Sequence, residues 1–346
     1  MSAKSFPTRQ LGRNGPTVSA IGFGAMGIGA FYGTTDEKQA YETLTYAADR
    51  GVTFWDTSDL YGTSEAALGK WFSETGRRSE IFLASKFGAK DMDLPPDNWS
   101  PNSKPAYIKR QLAKSLAALK TDYIDLYYQH RVDPEVPIEV VLETLRPYLE
   151  KGTIRWIGLS ECSIATLRRA RAVPGIGEKV VAAQMEFSPF ELHLEKNGFA
   201  EAAKELGVAV VAYSPLARGL ATGRFKSNDD FEDSDFRKHH PRFSKENFPK
   251  NLKIVEKLQA VAEKQKSTNT IVTVAWILAS HEHFIPIPGT RSPERLEELA
   301  KGAELKLSPD EVKQIREVVE NADVAGARYA AEPQGDCIPV SEWKGE

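Results

Sequence analysis

Gly22-Phe23-Gly24-Ala25-Met26-Gly27 follows directly on an apolar run and matches G-x-G-x-x-G, the glycine pattern of dinucleotide-binding sheets. How it is read decides the fold. The pattern works in an open, doubly wound sheet only when a helix opens at the glycines and turns its N-terminal peptide groups toward a pyrophosphate. Here Gly29 and Gly33 follow, and no helical period begins before Thr35. Asp56, the acidic residue that closes the second apolar strand, lies beyond the spacing of about 20 residues used for a ribose-binding carboxylate. The hexad therefore reads as a close-packed turn, and the fold must come from the rest of the chain.

Outward from that turn, strand and helix alternate. A hairpin is expected first, with 6–11 and 17–21 as its arms and Gly12-Arg13-Asn14-Gly15 between them, Asn-Gly favouring the positive φ angles of a tight turn. Apolar strands follow at 18–23, 53–56, 81–86, 123–129, 154–159, 180–185, 208–213 and 284–288. They are nearly continuous in Val, Ile, Phe, Trp and Tyr, as strands covered on both faces are. Helical period appears between them, at 36–49 (Ala40, Leu44, Ala47, Ala48), 106–119 (Ile108, Leu112, Leu116, Leu119), 138–150 and 199–206. Thr34-x-x-Glu37 and Ser308-Pro309-Asp310-Glu311 read as capping boxes. Eight such pairs within about 300 residues is the count of a closed parallel (β/α)8 barrel, an open sheet of two halves being the alternative. No Pro/Gly/Ser-rich linker divides the chain, so residues 1–346 read as one domain, with the barrel at about 18–305 and a last helix and tail at 306–346. Two stretches break the rhythm: a long polar loop at 217–249, with Asp229, Asp230, His239 and His240, and the tail at 323–346. Such excursions usually shape the rim of a site.

Of 346 residues, 41% are hydrophobic and 27% charged, enough for a sizeable core. Forty-five Lys and Arg against 48 Asp and Glu leave a net charge of −3 with no long basic run, which speaks against a nucleic-acid or membrane-surface protein. Cys162 and Cys337 form no disulfide framework or Cys-x-x-Cys pair. No signal-like apolar segment occupies 1–16, and the apolar stretch at 271–279 is too short to span a bilayer, so a soluble cytoplasmic protein is expected. The sequon at Asn98 carries no weight without a secretion signal. His281-x-His283 has metal-like spacing but no third ligand nearby, and His239-His240 reads as a solvated pair.

Barrel chemistry sits where strands end. The second strand ends at Asp56, with Tyr61 in the following loop; the third ends at Lys86 and the fourth at His130. The fifth ends at Ser160, the sixth passes Gln184, and the seventh ends at Tyr213-Ser214. Singly, these could be a cap, a surface charge and a rim histidine. Together, a carboxylate, an amine, a phenol and an imidazole converge on one mouth. An ammonium beside a phenol is expected to lower its pKa, with Asp56 orienting Lys86, so that Tyr61 serves as general acid while His130 donates to a carbonyl oxygen. No nucleophilic Ser or Cys stands beside this histidine in the sequence, and carbonyl reduction with an external hydride donor fits best. The last unit ends in Gly289-Thr290-Arg291-Ser292-Pro293-Glu294-Arg295, where Ser292 as N-cap, Thr290 and two arginines make an anion site suited to a 2′-phosphate.

These residues resemble the aldo-keto reductase superfamily over about 8–305, most distinctively in Gly51-Val52-Thr53-Phe54-Trp55-Asp56-Thr57-Ser58-Asp59-Leu60-Tyr61-Gly62. The run Tyr127-Tyr128-Gln129-His130-Arg131-Val132-Asp133 looks most like the branch of microbial and plant general aldehyde reductases, near pyridoxal reductases. The resemblance implies NADPH bound in an extended pose in a (β/α)8 barrel, with Asp56, Tyr61, Lys86 and His130 as the catalytic four. Ser160 and Gln184 would hold the nicotinamide carboxamide and Tyr213 would stack on its ring. Gly24, Ala25, Met26 and Asp56 would also face the cofactor, Ser214, Pro215 and Leu216 its pyrophosphate. Gly289, Thr290, Arg291, Arg295 and Glu298 would serve the adenosine phosphate end. Two departures stand out: Glu161 follows Ser160 where the family commonly has Asn, and Leu299 replaces an Asn often found near adenine. A dehydrogenase running the same chemistry backwards is the nearest alternative. A nucleotide-sensing channel subunit is the other, turnover being what separates it from an enzyme. Phe31, Tyr32, Trp99, Arg131, the 217–249 loop and Tyr329 are expected to wall a small-molecule carbonyl site.

Overall fold

The computed structural model describes residues 6–32, 36–329 and 333–345. Its strands are β1 (Thr8–Gln10), β2 (Thr17–Ser19), β3 (Gly22–Gly24), β4 (Phe54–Asp56) and β5 (Phe82–Phe87), then β6 (Ile124–Gln129), β7 (Ile154–Ser160), β8 (Val180–Glu186), β9 (Ala209–Tyr213) and β10 (Phe284–Pro286). From β3 to β10 each strand pairs in parallel with the next in chain order. A doubly wound sheet would reverse its order part-way, and this one does not. The seam is bridged where the Gly24 N–H donates to the Pro288 carbonyl at 2.9 Å. Glycine is required on both sides there: a Cβ on Gly24 would stand 2.8 Å from the Ile287 carbonyl oxygen, and one on Gly289 would stand 2.6 Å from that of Gly24. Part of the glycine-rich hexad thus closes a barrel.

Strand parity divides the core in two. Phe54, Ala84, Leu126, Tyr128, Ala182, Ala209, Val211 and Ile285 form a cluster inside the barrel, while Trp55, Leu83, Tyr127, Ile157 and Val210 pack outward against the helices. Leu11 and Val18 belong to the inner cluster, so the β1–β2 hairpin plugs the barrel floor. The same parity sends Asp56, two residues after Phe54, and Lys86, two after Ala84, toward the interior at its C-terminal end. Gly158 lies on this inner side, and a Cβ there would fall 2.3 Å from the Tyr128 ring. We expect Gly158→Ala to cost about 1–3 kcal/mol through overpacking, measured as a lower midpoint in denaturant unfolding.

Several local expectations are corrected. The 18–23 run is two strands, broken at Ala20-Ile21, where the chain passes from hairpin to barrel. The hairpin's positive φ falls on Gly12 (75°), not on Asn14 or Gly15, since the tight approach to the Val181 and Gly207 carbonyls occurs at Gly12. One helical turn, Met26–Gly29, does open after the glycines. The next helix, Glu37–Arg50, is capped by the Asp36 side chain accepting from the Gln39 N–H, whereas Thr34 lies outside the described residues. The Ser308 capping box is present. The 217–249 stretch holds four 3-10 turns, and its last two residues already belong to the helix Phe248–Lys264. The apolar 271–279 stretch lies in the buried helix Asn269–Ser280, and among the described residues no helix is long and apolar enough to cross a membrane.

Candidate active site

Parity and strand length bring the predicted groups to one mouth. Lys86 is 0% exposed, which removes the surface-charge reading. Its Nζ donates to Asp56 Oδ1 at 2.5 Å, to the Thr57 carbonyl at 2.8 Å and to the Tyr61 hydroxyl at 3.4 Å. Gln184 Nε2 donates to the other Asp56 oxygen at 2.8 Å, tying β8 to β4 across the barrel. The His130 ring stands edge-on to that of Tyr61, centroids 5.7 Å apart, and its Nδ1 is 3.0 Å from the Ser58 hydroxyl. Thr57, Ser58 and Asp59 were not singled out beforehand. Their sequence signal is that they lie between Asp56 and Tyr61, within the segment that carries the family resemblance.

Burial dominates the electrostatics. It pushes the Asp56 carboxyl up and the Lys86 ammonium down, while their mutual attraction and hydrogen bonds pull each back. Whatever Lys86 contributes, the net shift of Tyr61 is opposite to the one expected: burial, then the Asp56 charge, hold that phenol well above its ordinary value. Tyr61 is thus a protonated reservoir at neutral pH. Burial and the neighbouring Lys86 and Arg131 charges push the His130 imidazolium well down, so the ring is neutral.

Beyond this cluster, the tail supplies groups that no periodic pattern marked. Arg328 makes two hydrogen bonds to Glu161, at 3.0 and 2.6 Å, and the Glu161 carboxylate also accepts from the Tyr213 hydroxyl at 2.9 Å. The departure at Glu161 is therefore a buried acceptor with its own partners, held on a positive φ of 52°. Tyr329 reaches the Tyr213 hydroxyl at 3.1 Å. Arg131 donates to the His130 carbonyl at 2.8 Å and to the Ser160 hydroxyl at 3.3 Å. Phe31 lies 6.5 Å from the Tyr61 ring, Tyr32 packs on Phe236 from the long loop, and Trp99 is 58% exposed at the rim. His240, expected to be solvated, is buried and hydrogen-bonded to the Arg328 carbonyl, because loop and tail clasp each other there.

Residues 20–320 match the Aldo/keto reductase family. The chain belongs to that family. It is 47% identical over 329 residues, 94% of this chain and 95% of the relative, to the NADP(+) aldo-keto reductase yakc of Schizosaccharomyces pombe. It is 45% identical over 332 residues to the aldo-keto reductase str7 of Strobilurus tenacellus, again covering 94% of this chain and 95% of the relative. Among solved structures, a glycerol dehydrogenase from Gluconobacter oxydans aligns with a TM-score of 0.79 at 26% identity, covering 94% of this chain and 98% of that one. The chain is an oxidoreductase of carbonyl compounds by family.

In this aldo/keto reductase the residues expected at the phosphate end of a cofactor also come together. Ser292 caps the helix Pro293–Glu304, accepting from the Arg295 N–H, and its own N–H donates to Thr290. Burial, then Arg224 and Arg291, push the Arg295 guanidinium down, so three like charges crowd this helix start. Arg224 was missed because its loop has no period. Glu298 accepts from Thr268, and Leu299 is buried in the outer core, its side chain spent on packing. Ser214 (φ 50°), Ala217 (49°) and Arg218 (56°) put successive kinks where the chain leaves β9. His281 is hydrogen-bonded to Glu195 at 2.5 Å and His283 to the Ala200 carbonyl at 3.1 Å.

Proposed function

We propose that this aldo/keto reductase reduces aldehydes, and some ketones, to alcohols with NADPH, Tyr61 acting as general acid. The observation that carries this is Lys86, fully buried and shared between the Asp56 carboxylate and the Tyr61 hydroxyl. The residues fit the cofactor: Arg224, Arg291 and Arg295 bring positive charge to the capped start of the helix Pro293–Glu304, where a phosphate would be met. When bound, NADPH supplies the hydride. Tyr61 gives its proton to the carbonyl oxygen as negative charge builds there. Lys86 then stabilises the phenolate left behind, and Asp56 holds Lys86 in place. The neutral His130 offers a hydrogen bond to the same oxygen. Ser160 and Gln184 would face the carboxamide and Tyr213 the ring. Phe31, Tyr32 and Tyr329 give the mouth an aromatic wall suited to aromatic or aliphatic aldehydes.

The test is loss of NADPH absorbance with a panel of aldehydes, ketones and pyridoxal, repeated with NADH and then with alcohols and NADP(+). Turnover of an aldehyde is expected. Turnover only of alcohols would favour the dehydrogenase reading, for which the glycerol dehydrogenase likeness speaks. Tight NADPH binding without turnover would favour a sensor. We also expect Arg295→Ala to weaken NADPH roughly 10- to 100-fold, the worth of a charge-assisted phosphate contact, and NADH hardly at all. Equal losses for both, measured by fluorescence titration, would move the 2′-phosphate elsewhere.

A further inference from the structure

The Ser58 hydroxyl has one proton and two neighbours that can compete for it. Its Oγ lies 3.0 Å from His130 Nδ1 and 3.0 Å from Asp59 Oδ1, and it accepts the Leu60 N–H at 3.1 Å. The other Asp59 oxygen, Oδ2, is covered and has no hydrogen-bond partner among the described residues. Two proton arrangements keep every one of these bonds. In the first, Asp59 is ionised and takes the Ser58 proton; Nδ1 must then donate its own N–H to Oγ, and Nε2 is a bare lone pair. In the second, Asp59 is protonated and donates to Oγ; Ser58 then donates to Nδ1, and Nε2 carries the hydrogen. The two differ by one proton and by the tautomer of a ring that stays neutral.

We propose that Asp59, acting through Ser58, decides which nitrogen of His130 carries the proton, and is a positioning residue for carbonyl reduction. This rests on the role of His130 in the proposed function. A carbonyl oxygen needs an Nε2–H, and so does the oxygen of the reverse reaction, whose hydroxyl proton goes to Tyr61. Protonated Asp59 therefore supports the hydride-transfer transition state that reduction and oxidation share.

The surroundings of Asp59 put this choice in a useful range. Burial and then the Glu65 charge, from the helix Ser64–Thr75, push its carboxyl up to about 7, while the Ser58 and Leu60 hydrogen bonds and the Lys86 ammonium pull it back. Tyr107, from the helix Pro105–Leu119, and Tyr127, from β6, also face it, as does Tyr61, and burial holds all three phenols protonated. Glu65 is engaged with the Ser85 hydroxyl at 2.5 Å. The sign follows: the Nε2–H form dominates below about 7 and is lost as pH rises through that value.

Two experiments on the NADP(H)-bound enzyme test this. In wild type, kcat/KM for aldehyde reduction should fall through about pH 7. Asp59→Asn and Ser58→Ala should each flatten that step, because one removes the titrating group and the other the relay. A purely structural role would lower rates evenly at every pH, and an Asp59→Asn profile with its step intact would overturn the proposal. The second readout is the ¹⁵N spectrum of the histidine rings, with His130 assigned by His130→Gln. Its two nitrogens should exchange roles across pH 7 in wild type. A single unchanging tautomer would also overturn the proposal, even if neither variant folds. This arm needs no turnover, so it separates failure of the proton relay from failure of the reductase reading.

Discussion

Tyr61→Phe is expected to lose roughly 10²- to 10⁴-fold in kcat, the usual worth of a positioned acid, while NADPH affinity stays within about threefold. The expectation follows from what the hydroxyl touches. It accepts from the Lys86 ammonium at 3.4 Å, and Lys86 keeps its bonds to Asp56 and to the Thr57 carbonyl without it. The ring, 9% exposed and edge-on to His130 and Phe31, retains its packing in phenylalanine. Loss should therefore be confined to proton transfer. Steady-state kinetics with a fluorescence titration of NADPH separates the two, and normal aldehyde turnover by this variant would remove Tyr61 from the mechanism.

The second large effect is on stability. Lys86→Met removes the partner of a carboxylate that is buried and, among the described residues, otherwise held only by the Gln184 amide. Leaving a buried charge uncompensated costs about 3–5 kcal/mol, so a marked fall in thermal midpoint is expected, together with loss of turnover. Asp56, already pushed up by burial, rises further without the ammonium. A raised carboxyl makes folding less favourable where the unfolded chain would ionise it, so the deficit should be small below about pH 4 and grow as pH rises. Pairing it with Asp56→Asn should recover much of the stability but none of the activity. A single variant as stable as wild type at neutral pH would mean that the pair is already neutral in the native protein.

The four groups that meet at the mouth were legible because they are tied to strand ends. Trp55 outward and Asp56 inward, or Ser85 outward and Lys86 inward, follow from alternation along a covered strand, so an apolar run closing on a charged residue carries spatial information. The helix start proposed to take a phosphate was legible for a similar reason, since Ser292-Pro293 announces a helix start wherever it occurs. Arg224, Arg328 and the Glu161 acceptor set were not, because loops and tails carry no period from which a neighbour can be inferred. The Tyr61 pKa was read with the wrong sign for a related reason. A nearby lysine can be placed from sequence, but the depth of burial that outweighs it cannot.

What the sequence determined by itself was the number and order of the strands, the side of each that turns inward, and hence the residues that crowd the mouth. These follow from local periodicity and from the two-residue repeat of a strand. Only the tertiary structure decided that the glycine hexad joins a seam, that the tail reaches Glu161, and that Ser58 stands between Asp59 and His130. Those are contacts between groups that chain geometry leaves free, and they are set by the closing of the barrel and the packing of what lies over it.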